Sequence, residues 1–215
     1  MARRTFREKI LTKIKNSKLV EERHEQIFQA ASKLIQKKGY HMTTLRDISR
    51  ETGISLGNLY GYITTKEDIL YMIHEKAAEM VTRILGQEIG HIRDVRDPVQ
   101  KLKQMIEKEL EIIDRYQDLI MTIYQESHSL SKPSLRTMLR SEEIHIKRFK
   151  EVIEKGIKLR VFREGNPLIL ANMIKMMIDC WVLKRWNFRG KVNLEEMKQG
   201  ILNMVQRGIV LKEKA

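Results

Sequence analysis

Two segments of the same form, Thr44-Leu45-Arg46-Asp47 and Thr65-Lys66-Glu67-Asp68, flank a glycine turn at Gly53. Each has the form of a capping box. The threonine oxygen accepts an orphan amide at a helix start, and the carboxylate three residues on reaches back to the cap. The first box opens a helix with Leu45, Ile48 and Ser49 inward and Arg46, Arg50 and Glu51 outward. Gly53 ends it, because glycine takes the left-handed conformation without a steric penalty. Ile54 then fits an apolar plug, and Ser55 is the N-cap of a second helix over roughly 56–62. The second box opens a third helix. Two short helices around a glycine turn form a helix-turn-helix, over about 43–62, a unit that sets one helix into the DNA major groove.

The second helix is short and holds two poor helix formers, Gly57 and Gly61. Missing side chains are useful where backbone must lie close to a DNA strand; relief of packing against the first helix is the other reading. Asn58 can pair bidentately with adenine. Tyr60 and Tyr62 offer hydroxyls to phosphate and rings to sugar or thymine methyls, although one of the two fits the core. Lys66 sits at the positive end of a helix dipole, a natural phosphate site. The candidate DNA-facing set is therefore Thr43, Thr44, Arg46, Ser55, Leu56, Gly57, Asn58, Tyr60, Tyr62 and Lys66.

Residues 22–78 resemble the N-terminal domain of TetR-family transcriptional regulators. The likeness rests on Ile27-Phe28-Gln29-Ala30-Ala31, Gly39-Tyr40, Thr43-Thr44, Gly57-Asn58-Leu59-Tyr60-Gly61-Tyr62-Ile63 and Lys66-Glu67. Ile63 departs from the phenylalanine usual there, an apolar exchange. Leu56 and Asn58 lie where operator choice varies, so the resemblance supplies no operator sequence.

The charge distribution agrees with a DNA partner. Net charge is +13, and residues 1–66 hold 14 Lys/Arg against 6 Asp/Glu. The basic excess thus concentrates where phosphate must be neutralised. The first 19 residues carry seven Lys/Arg and one Glu. They begin with the charge of a signal peptide, but no apolar stretch follows. A basic arm reaching phosphate or the minor groove is one expectation, a solvated tail the other. The single cysteine, Cys180, excludes an internal disulfide and fits a reducing cytoplasm, bacterial or archaeal and near the nucleoid.

Periodicity and start signals predict an all-α chain of about nine helices. The first, over roughly 20–38, places Ile27, Ala30, Ala31, Leu34 and Ile35 on one face. The fourth runs from Lys66 to about 92. Asp97-Pro98 and Asn166-Pro167 pair an N-cap with proline at the first helical position. A shorter helix is expected over 117–126, Pro133 starts a long one, and Asn193-Leu194-Glu195-Glu196 caps the last. The expected organisation is a basic arm over 1–19, a three-helix reading domain over 20–66, and a helical effector-binding and dimerisation bundle over 67–215.

The helix over about 167–187 is apolar on almost every face, interrupted by Asn172, Lys175 and Asp179, which disfavours a membrane span. A helix apolar all round is covered all round. One face would pack the core and the other a second subunit. The resemblance implies the same, a homodimer through the last two helices at about 167–188 and 193–210. Two reading heads on a two-fold axis match a near-palindromic operator.

Methionine adapts to irregular apolar shapes. Met105, Tyr116, Met121, Tyr124, Met138, Phe149, Met173, Met177 and Trp181, with Arg185, form the candidate lining of a hydrophobic effector pocket; plain core is the competing reading. TetR-like repressors carry such pockets and release DNA when an effector binds. The segment from Leu183 to Gly190 resembles acyl-CoA-responsive, FadR-like members that control fatty-acid degradation. Lys184, Arg185 or Arg189 would then meet CoA phosphates. A multidrug sensor of an efflux gene is the alternative effector class, but its cationic ligands want acidic or aromatic lining, and the acidic residues read as solvent-facing. An architectural DNA-binding protein without ligand is a third reading, weakened by the near-neutral second domain. Catalysis is not expected: no histidine pair has metal-ligand spacing, and no nucleophile elbow, phosphate-cradling loop or cofactor motif is present.

Overall fold

The computed structural model describes residues 14, 16–87, 97–127, 130 and 132–211, without the side chains of 77–87, 133, 134, 137 and 141. Among them are ten helices: α1 (Ser17–Lys38), α2 (Leu45–Thr52), α3 (Leu56–Leu59), α4 (Lys66–Gln87), α5 (Pro98–Arg115), α6 (Gln117–Glu126), α7 (Lys132–Lys158), α8 (Pro167–Leu183), α9 (Arg185–Phe188) and α10 (Leu194–Ile209). Most of the basic arm, and the expected end of α4 beyond residue 87, lie outside the described residues. The helix expected over 167–187 is two, because the chain turns at Lys184 between α8 and α9.

The start signals work through side chains. Asp97 accepts from Val99 and Gln100 amides at 2.9 and 3.0 Å, and Asn166 from Leu168 and Ile169 at 3.0 and 3.4 Å, each before a proline. Both links of a capping box are present at Thr44–Asp47 and at Asn193–Glu196. Thr65 and Asp68 exchange the same pair of bonds before α4.

The chain divides into two compact units. The first holds residues up to 77 together with 118–138. Its core joins Ile27, Ala31 and Ile35 of α1 to Ile48 of α2, Leu59 of α3 and the first turns of α4, all buried. The second holds 78–117 and the residues from 139 onward. There α5 packs on α8 and α10. Leu102, Ile106, Ile174, Ile178, Phe149 and Ile201 are buried at its centre.

After α7 the chain turns through Arg160, at φ 57°. Phe162 then lays its ring where a side chain on Gly156 would stand. An isolated antiparallel bridge pairs Phe162 with Val210, and Leu211 donates to the Val161 carbonyl at 2.9 Å.

Candidate nucleic-acid interface and sensor core

The reading segment is short and its supports are long-range. His24, buried on α1, donates from Nε2 to the Tyr62 carbonyl at 2.9 Å, just beyond α3. Gln26 donates to the Thr52 carbonyl at 2.7 Å, satisfying the end of α2. Ser49 donates to the Ile54 carbonyl at 2.6 Å, closing the turn in which Gly53 holds φ 70°. Two independent anchors from α1 thus hold both sides of the helix-turn-helix. Asp47, with its cap bonds and the Lys38 ammonium at 2.7 Å, is held well below the usual carboxylate range, chiefly by Lys38 and then by Thr44.

On this frame Arg46, Ser55, Gly57, Asn58 and Tyr60 are exposed and Leu56 is half-buried. Ser55 caps α3 by accepting from the Asn58 amide at 3.3 Å. The two tyrosines separate: Tyr60 is 47% exposed, whereas Tyr62 is 7% exposed and packs into the core. Thr43 also departs from the DNA-facing set. It is buried and its hydroxyl donates to the Gly39 carbonyl at 2.8 Å, so it secures the α1–α2 turn. Thr44 stays at the surface with its hydroxyl committed to the cap. The glycines separate too. A Cβ on Gly57 would meet nothing within 4 Å, so internal packing does not demand glycine there. A Cβ on Gly61 would stand 3.0 Å from the Asn58 carbonyl oxygen, so packing does.

Lys66 carries partners that its sequence context does not announce. Its ammonium donates to the His41 carbonyl at 3.0 Å and lies 4.3 Å from the Tyr40 ring centroid, while the Tyr40 hydroxyl donates to the Lys66 carbonyl at 3.3 Å. Burial pushes the Tyr40 hydroxyl up to about 12, helped by the negative charges of Glu126 and Glu67. Burial also lowers the Lys66 ammonium, against the opposing pull of Glu126. Glu126, buried at the end of α6, places Oε1 2.8 Å from His41 Nε2. Sequence reasoning missed His41 and Glu126 together, since no local pattern links residues so far apart.

In the second unit Met105, Phe149 and Trp181 are buried, and Tyr116, Met177 and Arg185 are half-buried. Trp181 donates from Nε1 to Asp114 at 2.9 Å and stacks on Phe188. Met121 and Met138 belong to the first unit and are half-buried there. Two members of the expected lining are on the surface: Tyr124 is 40% exposed and Met173 59% exposed. Met173 lies on an α8 face with Ile169 and Met176, also exposed, while Ala171, Ile174 and Ile178 turn inward. The one helix therefore buries one apolar face and presents another.

The expectation that acidic residues face solvent fails at α5 and α8. Lys175 and Asp179, one helical turn apart on the inward face of α8, form a hydrogen-bonded ion pair, and both are buried. Glu109 of α5, 2% exposed, approaches the same ammonium at 3.3 Å, and the half-exposed Glu142 of α7 stands 3.9 Å away. Three carboxylates thus surround one cation. Glu109 Oε2 is buried with no hydrogen-bond partner. Burial raises the Glu109 carboxyl to about 6 against the pull of Lys175. The polar interruptions of α8 marked the pair in the sequence; Glu109 carried no signal.

Among the described residues no group of three His, Cys, Asp or Glu could hold a metal ion, and no helix is long and apolar enough to cross a membrane.

Known proteins resemble this chain in sequence or in fold. The chain is 28% identical to the HTH-type transcriptional regulator HbdR of Aromatoleum sp. (strain CIB) over 96% of its own length and 90% of that protein's. A transcriptional regulator from Saccharomonospora viridis in complex with choline superposes with a TM-score of 0.76 at 21% identity, spanning 89% of this chain and 100% of that one. FadR from Bacillus subtilis in complex with stearoyl-CoA gives a TM-score of 0.68 at 22% identity, spanning 85% and 97%. Residues 27–71 match the bacterial regulatory proteins of the tetR family. With residues 95–209 also matching the tetracyclin repressor-like C-terminal domain, the chain belongs to the TetR family of transcriptional regulators.

Proposed function

We propose that this regulator is a repressor that leaves a palindromic operator when a hydrophobic effector binds. The observation that carries the DNA part is the pattern over α3. Gly57, Asn58 and Tyr60 are exposed, the glycine is not required by packing, and the backbone beneath is tied to α1. Thr44, Arg46, Ser55, Leu56 and Lys66 complete the proposed DNA-facing set. The reading domain is taken as 20–66 and the effector and dimerisation domain as 67–215, with a homodimer through α8–α9 and α10. The outward apolar face of α8 supports that pairing, and Met204 of α10 is exposed as well. The regulator acts in the cytoplasm and carries no catalytic function of its own.

The favoured effector is a long-chain acyl-CoA. Three things support it: the buried Met105, Phe149 and Trp181, the exposed cations Lys184 and Arg189 at the α8–α10 turn, and the likeness to a stearoyl-CoA-bound fold. A cationic effector is the second reading, favoured by the Glu109–Asp179–Glu142 cluster with its unpaired Glu109 oxygen. The choline-bound neighbour is in keeping with it. Useful switching needs a differential affinity of a few kcal/mol between DNA-bound and effector-bound states.

Fluorescence anisotropy on DNA from upstream of the regulator's own gene tests this, with stearoyl-CoA, free CoA, choline and a detergent as separate additions. Release by stearoyl-CoA alone supports the first reading. Release by choline alone moves the effector to the second. Specific binding that neither alters removes both effectors and leaves the regulator.

A further inference from the structure

The turn between α1 and α2 and the first residue of α4 form one electrostatic unit with the end of α6. Glu126 is 5% exposed. One of its oxygens meets the His41 imidazole at 2.8 Å, and the other is buried without a hydrogen-bond partner. His41 in turn accepts the Lys66 ammonium on its carbonyl at 3.0 Å. Lys66 is also held over the Tyr40 ring, and Tyr40 is itself bonded to the Lys66 backbone. A buried carboxylate with an unsatisfied oxygen draws positive charge toward itself. Glu126 acts electrostatically on Lys66, whose ammonium a DNA phosphate at the start of α4 would also use.

We propose that Glu126 is a positioning residue for operator binding: it competes with the DNA backbone for the Lys66 ammonium and the His41 ring N–H and so holds down phosphate affinity. The proposal rests on the DNA-binding reading and on the first unit alone. His41 is the intermediary. With its side chain 78% exposed it can turn its ring N–H from the carboxylate to an approaching phosphate. Lys66, half-buried and fixed on the His41 carbonyl, keeps its ammonium beside the turn in either case. Because Glu126 ends α6, the charge offered to DNA at the start of α4 depends on where that helix end lies.

The test uses the full chain and a labelled duplex recovered by the wild-type protein from a random pool, with affinity measured across a salt series. Glu126→Gln keeps the shape and removes the charge. It should bind about five- to tenfold more tightly at about 0.1 M salt, with a salt slope steeper by about one. The gain should vanish in a Lys66→Ala background. His41→Gln should act in the opposite sense, weakening binding and flattening the slope, because the carboxylate is then left to Lys66. Glu67→Gln, which removes a charge from the residue next to Lys66, is the control for a general charge effect. An unchanged slope in Glu126→Gln, an equal gain from Glu67→Gln, or a gain that survives Lys66→Ala would overturn the proposal. Should Glu126→Gln fail to fold, a His41→Gln protein with wild-type slope would overturn it alone. Failure of the wild-type protein to recover any duplex would instead count against the DNA-binding reading.

Discussion

Gly57 and Gly61 stand four residues apart and do different things. A Cβ on Gly57 points into open space, and alanine favours helix by about 0.5–1 kcal/mol over glycine. Gly57→Ala should therefore leave the melting temperature unchanged or slightly raised while weakening operator binding; weak binding with lost stability would mean a folding role. Gly61→Ala meets the Asn58 carbonyl oxygen and should cost on the order of 1 kcal/mol, read in a denaturant melt. The glycines were visible in the sequence as helix-poor residues in a reading helix, but their division was not, because it depends on where the Asn58 carbonyl lies. The same holds for Tyr60 and Tyr62. Both were candidate DNA contacts, and only the packed structure turns one out and one in. Thr43 shows the opposite failing: its type suits a phosphate contact, yet its hydroxyl serves the Gly39 carbonyl.

At the scale of elements, the caps were legible because they are local. Asp97, Asn166, Thr44 and Asn193 each announce a helix within three residues, and each makes its bond. Asp97→Ala should cost about 1 kcal/mol in thermal stability. The turn after α7 was not legible. Nothing in the local sequence marks Gly156, yet its missing Cβ makes room for the fully buried Phe162 ring. Gly156→Ala should destabilise by about 1–3 kcal/mol through overpacking, a loss visible in chemical denaturation. The cluster that joins α5, α7 and α8 makes a pH prediction. Glu109 has a folded value of about 6 against an ordinary 4.5, so the native state holds that proton more tightly than the unfolded chain. Its contribution is present below 4.5 and is lost as pH rises through about 6, roughly 2 kcal/mol in all. Glu109→Gln should thus gain stability relative to wild type on going from acid to neutral pH, as paired urea melts would measure; a constant difference would contradict the assignment.

For the whole molecule, family membership follows from matches over residues 27–71 and 95–209, and the proposed dimer from the faces of α8. Ile169, Met173 and Met176 repeat on the outward side of α8, 57–61% exposed, on a helix whose other side is core. The sequence showed a helix apolar all round, and that was enough to expect two partners for it. It did not show which residues face which. Met173→Glu should leave the fold intact by circular dichroism, yield a monomer in light scattering, and lower operator affinity because one reading head then binds without the other. The effector was the least legible part. Trp181 and Phe149 are buried, Met173 and Tyr124 are not, and residue type alone could not separate buried from exposed positions.

Selection of duplexes from a random pool by the 215-residue protein, followed by sequencing, reads the operator and its symmetry together. A two-fold pair of heads built on α3 predicts an inverted repeat, with half-site preference altered by Asn58→Ala and overall symmetry kept. Recovery of a single unpaired half-site, or of no enriched sequence at low salt, would contradict a dimeric operator-binding regulator.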